Sequence, residues 1–393
     1  MTYIRETAAM GGRKKDSTSV LPPGSNSSNS ALLLTAHAVT VPLVRPFITA
    51  VRRTTVLESV LVEVRDAEGR SGWGEAPISA VTGATTAGVI ASVHGPLQAL
   101  LESDDGSADL SAALSRIAGS DERSAARMAV DCALHDLAAR RAELPLYRYL
   151  GGRHNRILTD MTLSVDGPAA LARAAAAHRA AGFDCVKVKL DAHGDPVAKL
   201  RAVRNAVGVE ARVRIDANQA FTADEAIRFI TALEDDGVDL ELVEQPVPAG
   251  DWDGLARVTS SVQTPILADE SVWTVKDLHR LIDAGAAAMV NIKLAKTGGL
   301  TPAVELAAAA RAAGIGVLVG CMMESGVGIG AATAFASALA TESGAEVPQD
   351  LDGGLWLRES PVDGGARYSG STIVLDDAPG SGITRLRKPQ PQR

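Results

Sequence analysis

Short apolar runs recur through the middle of this chain, each followed by an alanine-rich stretch of helical character. Met161–Val165, Val186–Leu190, Val213–Ile215, Leu240–Val243, Ile266–Ala268, Met289–Leu294 and Val317–Gly320 are strand candidates, with an eighth near Val347–Leu351. Their spacing, roughly 23 to 31 residues, is the length of one strand-plus-helix unit. Eight such units predict a (β/α)8 barrel, with a doubly wound open sheet as the alternative. Ahead of them, Leu33–Val44 and Val56–Val64 read as strands flanking a loop over 45–53, and 84–103 and 122–142 read as helices. The expected fold class is α/β: a modified barrel (158–356) carrying an N-terminal α+β capping domain (32–157). A C-terminal segment (357–384) returns to that domain. The Ser-, Pro- and Gly-rich residues 1–31 and the basic 385–393 are expected to be a disordered extension and a solvated tail.

Composition narrows the function. No apolar run approaches the 18 or so residues of a membrane span. A formal net charge of -8 and 3% aromatic residues disfavour nucleic acid, which needs clustered cations and stacking surfaces. The three isolated cysteines, Cys132, Cys185 and Cys321, form no disulfide framework and suit a reducing cytoplasm.

Polar residues mark the C-terminal end of one expected strand after another: Lys187 and Lys189, then Asp216, Glu244, Asp269 and Lys293. In a barrel those ends share one mouth, so residues far apart in sequence converge. A single acid after a strand is ordinarily a helix cap. Three on consecutive strands make an all-oxygen anionic cluster, whose mutual repulsion a hard divalent ion would relieve, and oxygen ligands favour Mg2+ over Zn2+. Asp216, Glu244 and Asp269 are therefore expected to hold Mg2+. Residues two apart on a strand face the same side, so Lys187 and Lys189 both point inward. Lys293, four strands on from Lys189, lies across the mouth from it. A lysine on each side of a cation suits removing a proton from one face of a carbon and returning it on the other. Lys296 is a further candidate, expected to be solvent-exposed beyond the strand. Gly326-Val327-Gly328-Ile329-Gly330-Ala331 fits a loose dinucleotide pattern, but it follows a seventh strand and not a first, and is read as close helix packing.

On Val186-Lys187-Val188-Lys189, Asp216-Ala217-Asn218-Gln219, Glu244-Gln245-Pro246, Ala268-Asp269-Glu270-Ser271 and Asn291-Ile292-Lys293-Leu294, the sequence resembles the enolase superfamily in its muconate-lactonizing branch. The resemblance spans about residues 33 to 384. It implies a Mg2+ site, Lys189 and Lys293 as acid/base catalysts, and Lys187 tuning Lys189. Within the branch, Cys321-Met322-Met323-Glu324-Ser325 and Asp350-Leu351-Asp352 resemble the dipeptide epimerases, above all those acting on L-Ala-D/L-Glu. That likeness implies a substrate ammonium held by Asp350 and Asp352. It also implies a side-chain carboxylate met by Arg52, with Arg53 as the neighbouring alternative. Glu324 is a candidate hydrogen-bonding group beside the reacting carbon. Gly353-Gly354 stands where that family pattern has Ala-Pro. N-acylamino acid racemisation, o-succinylbenzoate synthesis and cycloisomerisation need the same Mg2+ and lysines and remain open alternatives, as does a non-catalytic ligand-binding barrel. Homo-oligomers are common among such enzymes.

Overall fold

The computed structural model describes residues 32–50, 52–102, 109–340 and 347–387. The expected disordered extension, 1–31, lies outside the described residues, as does 388–393 of the tail. The first domain opens with β1 (Leu33–Ile48), β2 (Arg53–Arg65) and β3 (Ser71–Pro77), an antiparallel sheet in that order. The expected loop over 45–53 is shorter than anticipated. A register shift between Pro42 and Phe47 carries the pairing onward to Ile48, so only a tight turn remains, with Thr49 N donating to Arg52 O at 3.0 Å.

The third strand, Ser71-Gly72-Trp73-Gly74-Glu75-Ala76-Pro77, has no apolar alternation, because its glycines serve contact. A Cβ at Gly72 or Gly74 would overlap the carbonyls of Ala133 and Ala129 on the helix lying across the sheet. The stretch expected to be one helix over 84–103 is broken at Gly95 and Pro96. After it come α1 (Leu110–Ala118) and α2 (Ser124–Arg141). Almost every side chain from Ala125 to Ala139 on α2 is buried, because one face meets the sheet and another meets the second domain.

A short strand, β4 (Arg156–Leu158), precedes the barrel. Then follow β5 (Met161–Leu163), α3 (Pro168–Ala180), β6 (Cys185–Lys189), α4 (Pro196–Val207), β7 (Arg212–Asp216), α5 (Ala223–Asp235) and β8 (Leu242–Glu244). The series continues through α6 (Trp252–Ser261), β9 (Ile266–Ala268), α7 (Val275–Ala284), β10 (Met289–Lys293), α8 (Leu300–Ala312), β11 (Gly316–Gly320) and α9 (Gly326–Leu339). Strands β5 to β11 pair in parallel, in sequence order, as one curled sheet. The eighth position is no full strand. Gln349 and Asp350 bridge Thr159 and Gly320 singly, and Pro348 ahead of them has no N–H to donate. Side chains complete this seam: Val319 N donates to Gln349 Oε1 at 2.8 Å, and Leu351 N to Thr159 Oγ1 at 3.1 Å.

Alternation sorts the barrel's contents. Val186, Val188, Val213, Ile215, Val290 and Ile292 face outward into the core shared with the helices. Inside, Leu242, Leu267, Leu318 and Met289 form a separate small apolar plug, and charged groups stand above it. The chain ends in β12 (Val362–Gly364), β13 (Arg367–Ser369), β14 (Thr372–Val374) and β15 (Ile383–Leu386). Arg385 and Leu386, expected in the tail, pair with β12 instead. Val362 and Ile383 pack against Leu61 and Trp73 of the first domain.

Two buried acids of the first domain cap helices of the second. Asp131 of α2 accepts from Leu300 N (2.5 Å) and Thr301 N (3.2 Å) at the start of α8, whose own cap residue is Gly299. Glu75 of β3 accepts from Ser325 N (3.0 Å), Ser325 Oγ (2.7 Å) and Gly328 N (2.8 Å) at the start of α9. Helix N-termini favour negative charge and leave N–H groups unpaired, so these contacts lock the domains together.

Candidate active site

Because the seven strands run parallel and nearly in register, Lys189, Asp216 and Glu244 stand side by side. The ends of β9 and β10 bring Asp269 and Lys293 to the same mouth. All line or underlie a cavity of about 230 Å3, whose wall includes Phe47, Thr49 and Arg52 from the first domain and Lys187, Lys189, Asp269, Lys293, Asp350 and Asp352 from the second. Lys189 and Lys293 sit on β6 and β10, with three strands between them.

The charges are tightly paired. Lys189 Nζ bonds Asp216 Oδ2. Lys187 Nζ lies 3.0 Å from Asp216 Oδ2, 2.7 Å from Glu244 Oε2 and 2.7 Å from Asp350 Oδ2. Lys293 Nζ donates to Asp269 Oδ2 at 2.7 Å. Burial works to push the Lys187 and Lys293 ammonium groups down, but the surrounding carboxylates outweigh it and hold both well above the lysine range. Burial likewise works to raise Asp216 and Asp269, yet Lys187 and Lys189 keep the first low, and Lys293 and Lys296 the second. Glu244 is pushed up to about 7 by burial and by neighbouring Asp216.

Asp216, Glu244 and Asp269 offer only oxygen donors at one mouth, the chemistry a hard divalent cation takes, although the acids whose oxygens converge within 4.8 Å among the described residues are Asp160, Asp350 and Asp352. The first three are buried, and Glu244 Oε2 accepts no directed hydrogen bond although Lys187 is in ionic contact. Lys296 corrects an expectation. It is buried, not exposed, with Nζ donating to the carbonyls of Asp269 (2.5 Å), Asn291 (2.8 Å) and Val272 (3.1 Å) and lying 2.7 Å from Asp269 Oδ1. The turn Leu294–Thr297 folds back over the strand end and carries it inward.

Asp350 and Asp352 flank the seam. Asp352 Oδ2 accepts from Thr162 N at 2.8 Å and Trp356 Nε1 at 3.0 Å. A third acid, Asp160, joins them, with one oxygen of each within 4.8 Å of the others. The sequence reading missed Asp160. It precedes β5, where an acid reads as ordinary strand punctuation. Arg214 Nη1 donates to Asp160 Oδ2 at 2.9 Å, while Asp160 Oδ1 has no partner, and burial together with Asp350 pushes its carboxyl well up. Arg52 lines the cavity and donates to Ser79 Oγ at 3.4 Å. No acid pairs with it among the described residues, and burial lowers its pKa. Arg53 is exposed and outside the cavity wall.

Glu324 is buried directly after Cys321, Met322 and Met323 of the cavity wall. It is outside the cavity wall, accepts from Met322 N at 2.8 Å and faces Glu75 at the start of α9. Burial, then Glu75, pushes its carboxyl to about 8. The glycine-rich run beside it serves close packing: a Cβ at Gly328 would overlap Glu324 Oε2 and stand 3.2 Å from Glu75 Oε2.

Residues 33–151 match the mandelate racemase/muconate lactonizing enzyme N-terminal domain, and residues 169–388 the enolase C-terminal domain-like family. The chain is 37% identical over 355 residues to an L-Ala-D/L-Glu epimerase of Clostridium acetobutylicum, covering 88% of this chain and 96% of that one. The L-Ala-D/L-Glu epimerase from Bacillus subtilis, solved with substrate bound, superposes with a TM-score of 0.86 at 35% identity, covering 91% of this chain and all (100%) of that one. A dipeptide epimerase from Enterococcus faecalis, solved with Mg and L-Leu-L-Tyr, superposes with a TM-score of 0.82 at 34% identity, covering 91% and 100%. This chain belongs to the mandelate racemase/muconate lactonizing enzyme family of the enolase superfamily.

Proposed function

We propose that the protein is a dipeptide epimerase, inverting the α-carbon of the C-terminal residue of a small dipeptide. The observation that carries this reading is the placement of Lys189 and Lys293 on β6 and β10, each bonded to a different acid and both facing one cavity. An amine on each side of a bound carbon can take its proton on one face and return one on the other. When bound, a divalent cation of the Mg2+ class, held by Asp216, Glu244 and Asp269, supplies positive charge against which the substrate carboxylate can accumulate electrons. Lys187 neutralises Asp216 and Glu244 from beneath.

Asp350 and Asp352 are assigned to the substrate's ammonium. Lys187 and Arg214 already stand on two of the three acids in their cluster, so the remaining charge suits a monocation better than a second divalent ion. Arg52, a cation in the wall with no acid partner among the described residues, suits an anionic side chain on the inverted residue. L-Ala-D/L-Glu, a peptidoglycan fragment, is accordingly the first substrate to test. Three thiols, none in a disulfide, support a cytoplasmic setting.

The experiment is a mass-spectrometric screen of dipeptides in deuterated water with Mg2+. Wild type is expected to place one deuterium on the C-terminal residue and to yield both epimers. Lys189→Ala and Lys293→Ala are each expected to abolish epimerisation, one of them retaining exchange from a single enantiomer. Full epimerisation by both variants overturns the mechanism.

A further inference from the structure

Between the acids assigned to the cation and those assigned to the substrate ammonium lies one neutral side chain, Asn291. It is fully buried on the inner face of β10, two residues before Lys293. Its amide donates to Glu244 Oε1 at 3.0 Å and to Asp350 Oδ2 at 3.3 Å. One amide group, with two hydrogens in a fixed plane, thus spans both charge sites. Lys187 spans the same pair of acids from β6. On β11, Gly320 pairs with Lys293, two residues past the Leu318 that pairs with Asn291. A Cβ at Gly320 would overlap Asn291 Oδ1 and stand 2.9 Å from Nδ2 and from Lys293 Cε. The neighbouring strand therefore leaves a side chain's worth of room at the point where this amide must sit.

We infer that Asn291 is a positioning residue that fixes the cation-binding Glu244 and the ammonium-binding Asp350 relative to one another, in a seat that Gly320 keeps clear. This rests on the functional reading above. Asn291 touches no reacting atom; it sets the separation between the two ends of the bound substrate. Lys187 reaches the same two acids with a rotatable ammonium on a flexible stem, whereas the planar amide offers each acid a hydrogen along a line fixed by its plane.

The test uses the full-length protein. Calorimetric Mg2+ titration without substrate and dipeptide kinetics at saturating Mg2+ are measured for wild type, Asn291→Ala and Gly320→Ala. Leaving two buried carboxylates each one donor short is expected to weaken Mg2+ binding and raise the dipeptide KM by about tenfold each, with kcat changed far less. Gly320→Ala keeps the amide but crowds both it and Lys293 Cε, so it is read by Mg2+ affinity and the dipeptide KM and not by kcat; both are expected to move the same way as in Asn291→Ala, and it serves if Asn291→Ala does not fold. A purely structural role would lower the melting temperature without moving both constants together. Unchanged constants, or a change in only one, overturn the inference. A wild type that takes up Mg2+ but exchanges no α-proton in any dipeptide overturns the functional reading instead, and the Mg2+ titration still reports whether Asn291 supports Glu244.

Discussion

Glu324 and Glu75 face one another at the start of α9, and burial with that neighbour lifts Glu324 to about 8. In the unfolded chain a glutamate titrates near 4.3. Between those values the folded protein holds the proton that the unfolded chain has released, so stability falls as pH rises through the window. Lys293 offsets part of this effect. The melting temperature of wild type is expected to fall between pH 5 and about 8, and that of Glu324→Gln, which mimics the protonated acid, to fall less. Parallel pH profiles for the two proteins would show that Glu324 is charged throughout. Residue identity was the most legible level in the sequence. The acids and lysines at strand ends stand where their alternation placed them, because register in a parallel sheet carries position from one strand to the next. Lys296 was misplaced because it lies on a turn past the strand end, where alternation gives no side.

At the scale of elements, α8 begins on Gly299 with no side-chain cap and α9 on Ser325, whose hydroxyl takes Val327 N alone, and the first domain supplies the further acceptors through Asp131 and Glu75. Glu75→Ala would leave Ser325 N and Gly328 N buried and unpaired, a loss of about 1–3 kcal/mol. It is expected to lower the urea midpoint with little change in slope, and an unchanged midpoint would remove the latch. Such long-range caps are invisible in the sequence, where Glu75 sits in a glycine-rich strand with no apolar period. The strand itself was missed for the same reason. By contrast, the barrel strands announced themselves, because strands covered on both faces read as continuous apolar runs.

For the molecule as a whole, the mouth gathers four buried lysines and as many acids into contact, and a Mg2+ ion held there would bind the folded arrangement alone. Saturating the site to 100 times its dissociation constant would add about 2.7 kcal/mol of stability. The melting temperature is expected to rise with Mg2+ and to fall back on chelation, with Asp269→Asn insensitive to both. A melting curve that ignores Mg2+ would sever the acids from the metal. The plan of a capping sheet followed by strand-plus-helix units was readable in the sequence, and so was the place of the eighth position near Val347–Leu351, but not that it would be two bridging residues in place of a strand. That seam has its own consequence. The ring closes there through the backbone of two residues, Gln349 and Asp350, reinforced by the Gln349 and Thr159 side chains. Just past it, a side chain added at Gly353 would press on the carbonyl of Met322 and one at Gly354 on the Tyr368 ring, so bare backbone there lets the end of the seam pack flat against the segment that follows β11.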